Sequence, residues 1–144
     1  MYIDALLLFS DDQDLTASAV STNVVDAVVD GNIGVGEPMS VVVALPEGTD
    51  GGDADETYSV ILQSSIDEAF TAPIDLVSVD IPRGLAAGSK AVVPVPADGR
   101  ASQYFRLSYV LGGTTPAAKF KSFLTMSSMI QNEYVYQDGF DIAE

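Results

Sequence analysis

The stretch QYFRLSYVL, residues 103–111, alternates apolar and polar side chains along most of its length. A period of two is typical of a β-strand with one buried face, because successive side chains of a strand point to opposite faces. The stretch therefore predicts a half-buried strand, with Arg106 on the opposite face, towards solvent or a partner. The large apolar members of the face expected to be buried are Phe105, Leu107, Tyr109 and Leu111.

Similar runs rich in Val, Ile, Thr, Tyr and Phe recur along the chain, separated by clusters of Gly, Pro, Asp and Asn. Helical periodicity is nearly missing, whereas a doubly wound α/β fold needs helical segments of about ten residues between its strands. The sequence therefore predicts an all-β fold, an antiparallel jelly roll or β-sandwich of about eight strands, in a single domain over residues 1–144. The other predicted strands lie at about 16–29 (one bent strand or two pieces), 39–45, 57–65, 74–81, 89–95 and 118–126.

The two ends of the chain differ from this pattern. Residues 1–15 are apolar and then acidic, and residues 127–144 carry large apolar and aromatic side chains without a period of two or of 3.6. We interpret these segments as extended N- and C-terminal arms. Because exposed apolar surface promotes association, such arms either fold onto the domain's own core or dock on a neighbouring subunit. The sequence leaves both alternatives open.

The composition removes most catalytic machinery. The chain contains no Cys, His or Trp, which excludes disulfides, thiolate and imidazole nucleophiles, and the metal sites that depend on those ligands. Carboxylate chemistry remains, as does a Ser–Lys pair that would use Lys90, Lys119 or Lys121. We expect a protein that is not an enzyme, with no catalytic residues and no cofactor.

The charge is strongly negative and unevenly distributed. The formal net charge is -15, and residues 1–82 hold 16 of the 21 acidic residues and no Lys or Arg. Because nucleic-acid affinity comes mainly from Lys and Arg that neutralise phosphates, this balance predicts no nucleic-acid partner. No apolar stretch approaches the roughly 20 residues of a membrane helix, and the N-terminus lacks the pattern of a secretion signal, so we expect no membrane partner and an intracellular product. The acidity has two explanations: it keeps the protein soluble, or it attracts a basic protein partner.

The glycine-rich stretch VDGNIGVGEPMSVVVAL, residues 29–45, does not fit a phosphate-binding loop. Its glycines have the order G-x-x-G-x-G, a Val-rich strand follows them, and no lysine is near. A nucleotide loop needs either a helix N-terminus behind it or a terminal G-K-[ST]. We interpret the stretch as a glycine-rich connection between strands.

The loop PEGTDGGDADE, residues 46–56, gathers several carboxylates in a short span. Carboxylate oxygens suit Ca2+ or Mg2+, but the spacing is wrong for an EF-hand. A loose cation site and a solvated polar loop are both open, and the solvated loop is the default for such a composition. The sequence therefore assigns no metal site, and it does not decide whether residues 50–56 bind Ca2+.

Several segments, in the same order along nearly the whole chain, resemble one protein family. They are MYIDALLLFSDDQDLTASAVSTNVVD at 1–26, NIGVGEPM at 32–39, DETYSVILQSS at 55–65, IPRGLAAGSK at 81–90, VPVPADGR at 93–100, RLSYVLGGTTP at 106–116 and SSMIQNEYVYQDGF at 127–140. On these segments the chain is similar to the capsid cement, or decoration, proteins of tailed bacteriophages. Its acidity departs from that family's pattern, which puts a fixed set of charged shell contacts in doubt.

The resemblance implies a jelly-roll domain on the outer surface of a tailed-phage head. There it would act as a homo-oligomer, a dimer or a trimer, that clamps neighbouring major capsid protein subunits against the pressure of packaged DNA. We expect the interface in the arms, because large apolar and aromatic anchors carry most of the energy of such contacts. The candidate interface residues are Tyr2, Ile3, Leu7, Phe9, Met129, Ile130, Tyr134, Tyr136 and Phe140. An alternative is a jelly-roll binding module displayed on the virion, which recognises carbohydrate or depends on Ca2+.

Overall fold

The structure, a computed structural model, describes residues 5–27, 38–96, 102–127 and Ile130. A short 3-10 turn at Ala5–Leu7 precedes nine β-strands. Within the described ranges, no helix is both long and apolar enough to cross a membrane. The strands are β1 (Leu8–Leu15), β2 (Ala19–Val20), β3 (Val25–Asp26), β4 (Met39–Leu45), β5 (Thr57–Ser65), β6 (Ile74–Ile81), β7 (Ser89–Pro94), β8 (Tyr104–Gly112) and β9 (Ala118–Met126).

The predicted strands agree closely with this set. Four of them, at 39–45, 57–65, 74–81 and 118–126, match β4, β5, β6 and β9 end to end. The segment predicted at 16–29 contains two separate pieces, β2 and β3. Most of the glycine-rich connection that precedes β4 lies outside the described residues.

The strands form two antiparallel sheets that pack as a sandwich. Sheet A has the order β1-β9-β4-β7, and in sheet B β6 pairs with β5, β5 with β8, and β8 with both β2 and β3. If β2 and β3 count as one interrupted strand, the first four strands pair with the last four in reverse order: β1 with β9, β2/β3 with β8, β4 with β7, and β5 with β6. A long hairpin rolled into two sheets has this pattern, which is that of a jelly roll. The predicted fold class is confirmed.

The core lies between the sheets and is filled by alternating inward side chains. On β5, Tyr58, Val60 and Leu62 are buried, as the alternation of that strand predicts. Tyr109 on β8 pairs with Val60 and stacks on Phe120 of sheet A, with 4.3 Å between the ring centroids. Full burial of one such side chain stabilises the fold by roughly 1.5–3 kcal/mol. The two sheets are therefore held together mainly by side chains on the strand faces that the sequence pattern predicts to be buried.

The segment Leu8–Leu15, predicted as part of an N-terminal arm over residues 1–15, is instead strand β1 at the edge of sheet A. Its register with β9 shifts at two places, and Asp12 has a φ of 52°. Such irregularities interrupt the alternation of side chains, which is why the segment shows no period of two in the sequence. Of the C-terminal arm predicted at 127–144, only the first residue and Ile130 are described.

Candidate functional site

A row of apolar side chains crosses all four strands on the outer face of sheet A. Leu8 on β1 pairs with Phe123 on β9, Phe123 pairs with Val42 on β4, and Val42 pairs with Val92 on β7. Residues paired directly across neighbouring strands lie on one face of a sheet. That face is the outer one, because Leu124, the next residue after Phe123, belongs to the main core. We call Leu8, Phe123, Val42 and Val92 the apolar row.

The apolar row is covered in its middle and exposed at one end. Ile130, which follows β9, forms a cluster with Phe123 and Val42 that is separate from the main core, and Leu8 packs against the same cluster. Phe123 and Val42 are buried, whereas Val92 on edge strand β7 is 42% exposed. An exposed apolar side chain that continues a buried cluster offers a surface on which another chain can pack.

The start of β1 and the end of β9 lie close together in sheet A. Leu8 is the first residue of β1, and its partner Phe123 lies three residues before the end of β9 at Met126. This proximity follows from the jelly roll, in which the first and last strands are antiparallel neighbours. The N-terminal and C-terminal candidate residues are therefore attached at the same end of sheet A.

Three of the nine predicted interface residues lie within the described residues, in different surroundings. Leu7 is half-buried against the main core, and Ile130 packs on the apolar row. Phe9 points inward from β1 and is fully buried in the core, so its contribution is to folding and it offers no surface to a partner. The remaining six lie outside the described residues: Tyr2, Ile3, Met129, Tyr134, Tyr136 and Phe140.

None of the four members of the apolar row is among the candidate interface residues predicted from the sequence. Two local signals mark Val42 and Phe123. The run Val41 to Val43 is apolar without alternation, which is typical of a strand that is buried on both faces. Phe123 and Leu124 are likewise two adjacent apolar residues in a strand that otherwise alternates. An apolar side chain at a strand position that points away from the core indicates a second packing surface.

All three lysines of the sequence lie on the outer face of sheet A. Lys90 on β7 and Lys121 on β9 both pair with Ala44, which follows Val43 of the core by one residue. Lys119 is two residues before Lys121 and shares its face. The Nζ atom of Lys119 lies 2.6 Å from Oε1 of Glu47, and this hydrogen bond raises the pKa of Lys119. Basic side chains of a chain with net charge -15 are therefore concentrated beside the apolar row.

Arg106 lies on the outer face of sheet B and is held by contacts within the domain. Its guanidinium carbon lies 4.3 Å from the centroid of the Phe70 ring, and its Nε donates a hydrogen bond to Oε1 of Gln63 at 2.8 Å. A cation over an aromatic ring is attracted by the negative face of that ring. The half-buried Arg106 side chain therefore packs along the sheet.

The loop between β4 and β5 brings three carboxylates together. One carboxylate oxygen from each of Asp53, Asp55 and Glu56 lies within 4.8 Å of the others. The turn between β8 and β9 braces two of them: Thr114 donates to Asp55 from its backbone N–H and its hydroxyl, at 3.1 and 2.7 Å, and the Thr115 hydroxyl donates to Asp53. The hydrogen bonds from Thr114 lower the pKa of Asp55. We call Asp53, Asp55 and Glu56 the carboxylate cluster.

Glu56 differs from the other two acids because it is buried. Its side chain is 2% exposed, and its Oε1 accepts a hydrogen bond from the Asp53 N–H at 2.7 Å. Its Oε2 is buried without a hydrogen-bond partner among the described residues. Gly113 packs so closely here that an added Cβ would lie 2.7 Å from Cα of Glu56. The two loops are thus in backbone contact at Glu56.

Two solved structures resemble the chain at low sequence identity. The crystal structure of PirA matches with a TM-score of 0.41 and 10% identity, over 81% of this chain and 95% of that chain. The structure of infectious bursal disease virus Gt strain matches with a TM-score of 0.39 and 13% identity, over 83% of this chain and 30% of that chain. Neither similarity is close enough to indicate a function.

The family comparison is more informative than these structures. No curated protein sequence matches the chain significantly. The family model Bbp16 matches residues 9–124. This range begins in β1 and ends in β9, so it includes strands of both sheets and the paired first and last strands of the jelly roll. The chain belongs to the Bbp16 family.

Proposed function

We propose that this chain is a structural protein of a virion, and more specifically a capsid cement protein of a tailed bacteriophage. It binds the outer surface of the head as a dimer or trimer and clamps neighbouring major capsid protein subunits against the pressure of packaged DNA. The proposal is supported by the collinear segments that resemble cement proteins along nearly the whole chain. Membership of the Bbp16 family and the jelly-roll fold are compatible with it.

The observation that carries the proposal is the apolar row on sheet A. Ile130 packs on its middle, Val92 is exposed at its end, and both predicted arms are attached beside it. We propose that the aromatic residues of the arms contact the same capsid subunit as the apolar row. One continuous interface is then available to a neighbouring subunit.

Clamping follows from the geometry of repeated binding. An oligomer that contacts several identical capsid sites binds with avidity, even when each contact is weak. A unit that bridges two capsid subunits also adds contacts that must break before those subunits separate, and this raises the barrier to disassembly. Catalytic groups are not needed for this role.

The test compares two matched substitutions in binding to heads that lack the protein. Val92→Asp places a charge at the exposed end of the apolar row, and Val110→Asp places the same charge on the outer face of sheet B, where Val110 is 40% exposed. We expect Val92→Asp to reduce decoration at least tenfold and Val110→Asp to leave it close to wild type, with both domains folded by circular dichroism. Equal decoration by the two variants would contradict a role for sheet A.

Deletion of residues 127–144 tests the C-terminal arm. We expect a truncated domain that folds but no longer decorates heads. Normal decoration by the truncated protein would contradict the anchoring role, and unfolding would show that the segment belongs to the core.

Heads stripped of the protein should also break at lower temperature than decorated heads, because cementing requires a loss of shell stability on removal. Glycan binding that needs Ca2+, with unchanged shell stability, would favour the displayed binding module instead.

A further inference from the structure

We propose that the carboxylate cluster, Asp53, Asp55 and Glu56, binds one Ca2+ ion. The inference is independent of the capsid role, because it rests on contacts within one domain. The sequence alone leaves the acidic loop as a weak candidate, since acidic surface loops are common without ions. The structure strengthens this candidate because one member of the cluster, Glu56, is buried.

One oxygen of the buried Glu56 carboxylate accepts no hydrogen bond from any described residue. The side chain is 2% exposed and its Oε2 has no hydrogen-bond partner among the described residues. A buried polar atom without a partner is costly, because its lost hydration is not replaced. The carboxylates of Asp53 and Asp55 are within reach, but they accept hydrogen bonds and cannot donate one when ionised. A hydrogen-bond donor or a cation would satisfy this oxygen.

The charge around this oxygen favours a cation. The three carboxylates approach within 4.8 Å, and mutual repulsion at such a distance is largely relieved when a positive ion lies between them. Arg83 supplies a favourable charge interaction to Asp55. Its single positive charge does not balance the three carboxylates. The cluster therefore keeps a net negative charge that a divalent ion can neutralise.

The ligand chemistry points to Ca2+ among divalent ions. All three side chains offer hard carboxylate oxygens, and the sequence contains no Cys or His that would favour zinc or copper. Mg2+ demands a near-ideal octahedron and usually keeps several waters, whereas Ca2+ accepts six to eight oxygens in an irregular arrangement. Asp53 and Asp55 are already held by Thr115 and Thr114, so two ligands are positioned before an ion arrives. Waters and backbone carbonyls would complete the shell.

The experiment is a calorimetric titration of the full chain with CaCl2, after dialysis against EGTA and then buffer, at about 0.15 M NaCl. At that ionic strength long-range attraction to a chain of this charge is largely screened. We expect one saturable site with a dissociation constant on the order of 0.1 mM, as in weaker calcium modules. Thermal unfolding at about 10 mM CaCl2 should then occur roughly 5–10 °C higher than in EGTA.

The matched variants are Glu56→Gln and Glu68→Gln, which remove the same charge at opposite ends of β5. Glu56→Gln should weaken Ca2+ binding at least tenfold and lose the thermal shift, while Glu68→Gln should retain both. In EGTA, Glu56→Gln should unfold at the same or a higher temperature than wild type, because it removes a buried carboxylate that lies beside two other carboxylates. The unfolding temperature of Glu56→Gln should thus be equal to or above that of wild type in EGTA and below it in CaCl2. This reversal is expected only if the site contains Glu56.

Asp55→Asn provides a second test, because Asp55 is exposed and its replacement does not alter the packing of the core. It should also weaken Ca2+ binding at least tenfold, and it decides the question if Glu56→Gln fails to fold. Three results would overturn the proposal: no saturable binding by wild type, wild-type affinity in Asp55→Asn, or equal thermal shifts by CaCl2 in wild type and both cluster variants. The last result would show screening by divalent ions only.

Discussion

The hydroxyl of Tyr109 on β8 donates a hydrogen bond to Oγ of Ser122 on β9, with 2.8 Å between the oxygens, and so joins sheet B to sheet A inside the core. The same hydroxyl oxygen lies 2.7 Å from Oγ of Ser10 on β1. Buried hydroxyls that bond one another replace the water that each has lost. The jelly roll therefore contains a polar link between its sheets in addition to apolar packing.

Removal of this hydroxyl should destabilise the fold. Tyr109→Phe keeps the ring that stacks on Phe120 but leaves Ser10 and Ser122 without their common partner. We expect the free energy of unfolding to fall by about 1–3 kcal/mol, as measured by urea denaturation. Tyr104→Phe, at a half-buried position of the same strand, should change it by less than about 0.5 kcal/mol. Equal losses in the two variants would contradict the role of the buried link.

The same residue predicts a loss of stability at high pH. Burial raises the pKa of Tyr109 to about 12 from its usual value of 10.0. Above pH 10 the unfolded chain ionises this phenol while the folded chain does not, so ionisation favours unfolding. We expect its contribution to be fully present below pH 10 and to decline between pH 10 and 12, by about 1.4 kcal/mol per pH unit. Urea denaturation across this range should show a shallower decline in Tyr109→Phe, and parallel declines would count against the prediction.

A carboxylate in the loop between β5 and β6 predicts the opposite dependence at low pH. Asp67 accepts hydrogen bonds from the hydroxyls of Thr71 and Ser65, at 2.7 and 2.8 Å, and these bonds lower its pKa from the usual value of 3.8. A lowered pKa in the folded state adds stability above pH 3.8 and loses it as the pH falls through the folded value. Asp67→Asn should therefore be less stable than wild type at pH 7, and the difference should shrink below pH 3.8 in urea denaturation. A difference that is constant from pH 7 to pH 2 would refute this assignment.

Two glycines with positive φ should respond differently to alanine. Gly113 has a φ of 102°, and an added Cβ would lie 2.7 Å from Cα of Glu56, whereas Gly84 has a φ of 69° and open space around the same position. Gly84→Ala should cost about 1 kcal/mol through the backbone alone. Gly113→Ala should cost clearly more, because the two loops must also move apart. Thermal unfolding of the pair checks this, and similar losses would show that the loop contact is not rigid.

The cover of the apolar row should contribute to stability. Ile130→Ala removes the side chain that packs on Val42 and Phe123, and we expect a loss of about 2 kcal/mol. Ile66→Ala is the control, because Ile66 is 74% exposed and its truncation should have little effect. The measurement is the free energy of unfolding in urea. If Ile130→Ala behaves like Ile66→Ala, the Ile130 side chain is not packed on sheet A in solution.

The fold was largely readable from local patterns. The alternation in residues 57–65 and 118–126 predicted both the bounds of β5 and β9 and the faces that they bury, because the face of a strand is a local property of the chain. β1 escaped this reasoning because its register shifts and its acidic residues hide the period of two. Phe9 was accordingly predicted for an interface, although it lies in the core.

The candidate sites depended much more on contacts between distant residues. Asp53, Asp55 and Glu56 are neighbours in the sequence, but the hydroxyls that donate to Asp55 and Asp53 come from Thr114 and Thr115, which are 59 and 62 residues away. The apolar row could not be assembled from the sequence at all, because its four members come from four strands.

By itself the sequence determined which segments other than β1 are strands, which face of most of them is buried, and that the chain is strongly acidic. Only the tertiary structure decided which strands are neighbours. Pairing joins residues such as Leu8 and Phe123 across most of the chain, and a local pattern records that a side chain is apolar but not which distant side chain lies beside it. The surface that carries the proposed function therefore appears only when the sheets are formed.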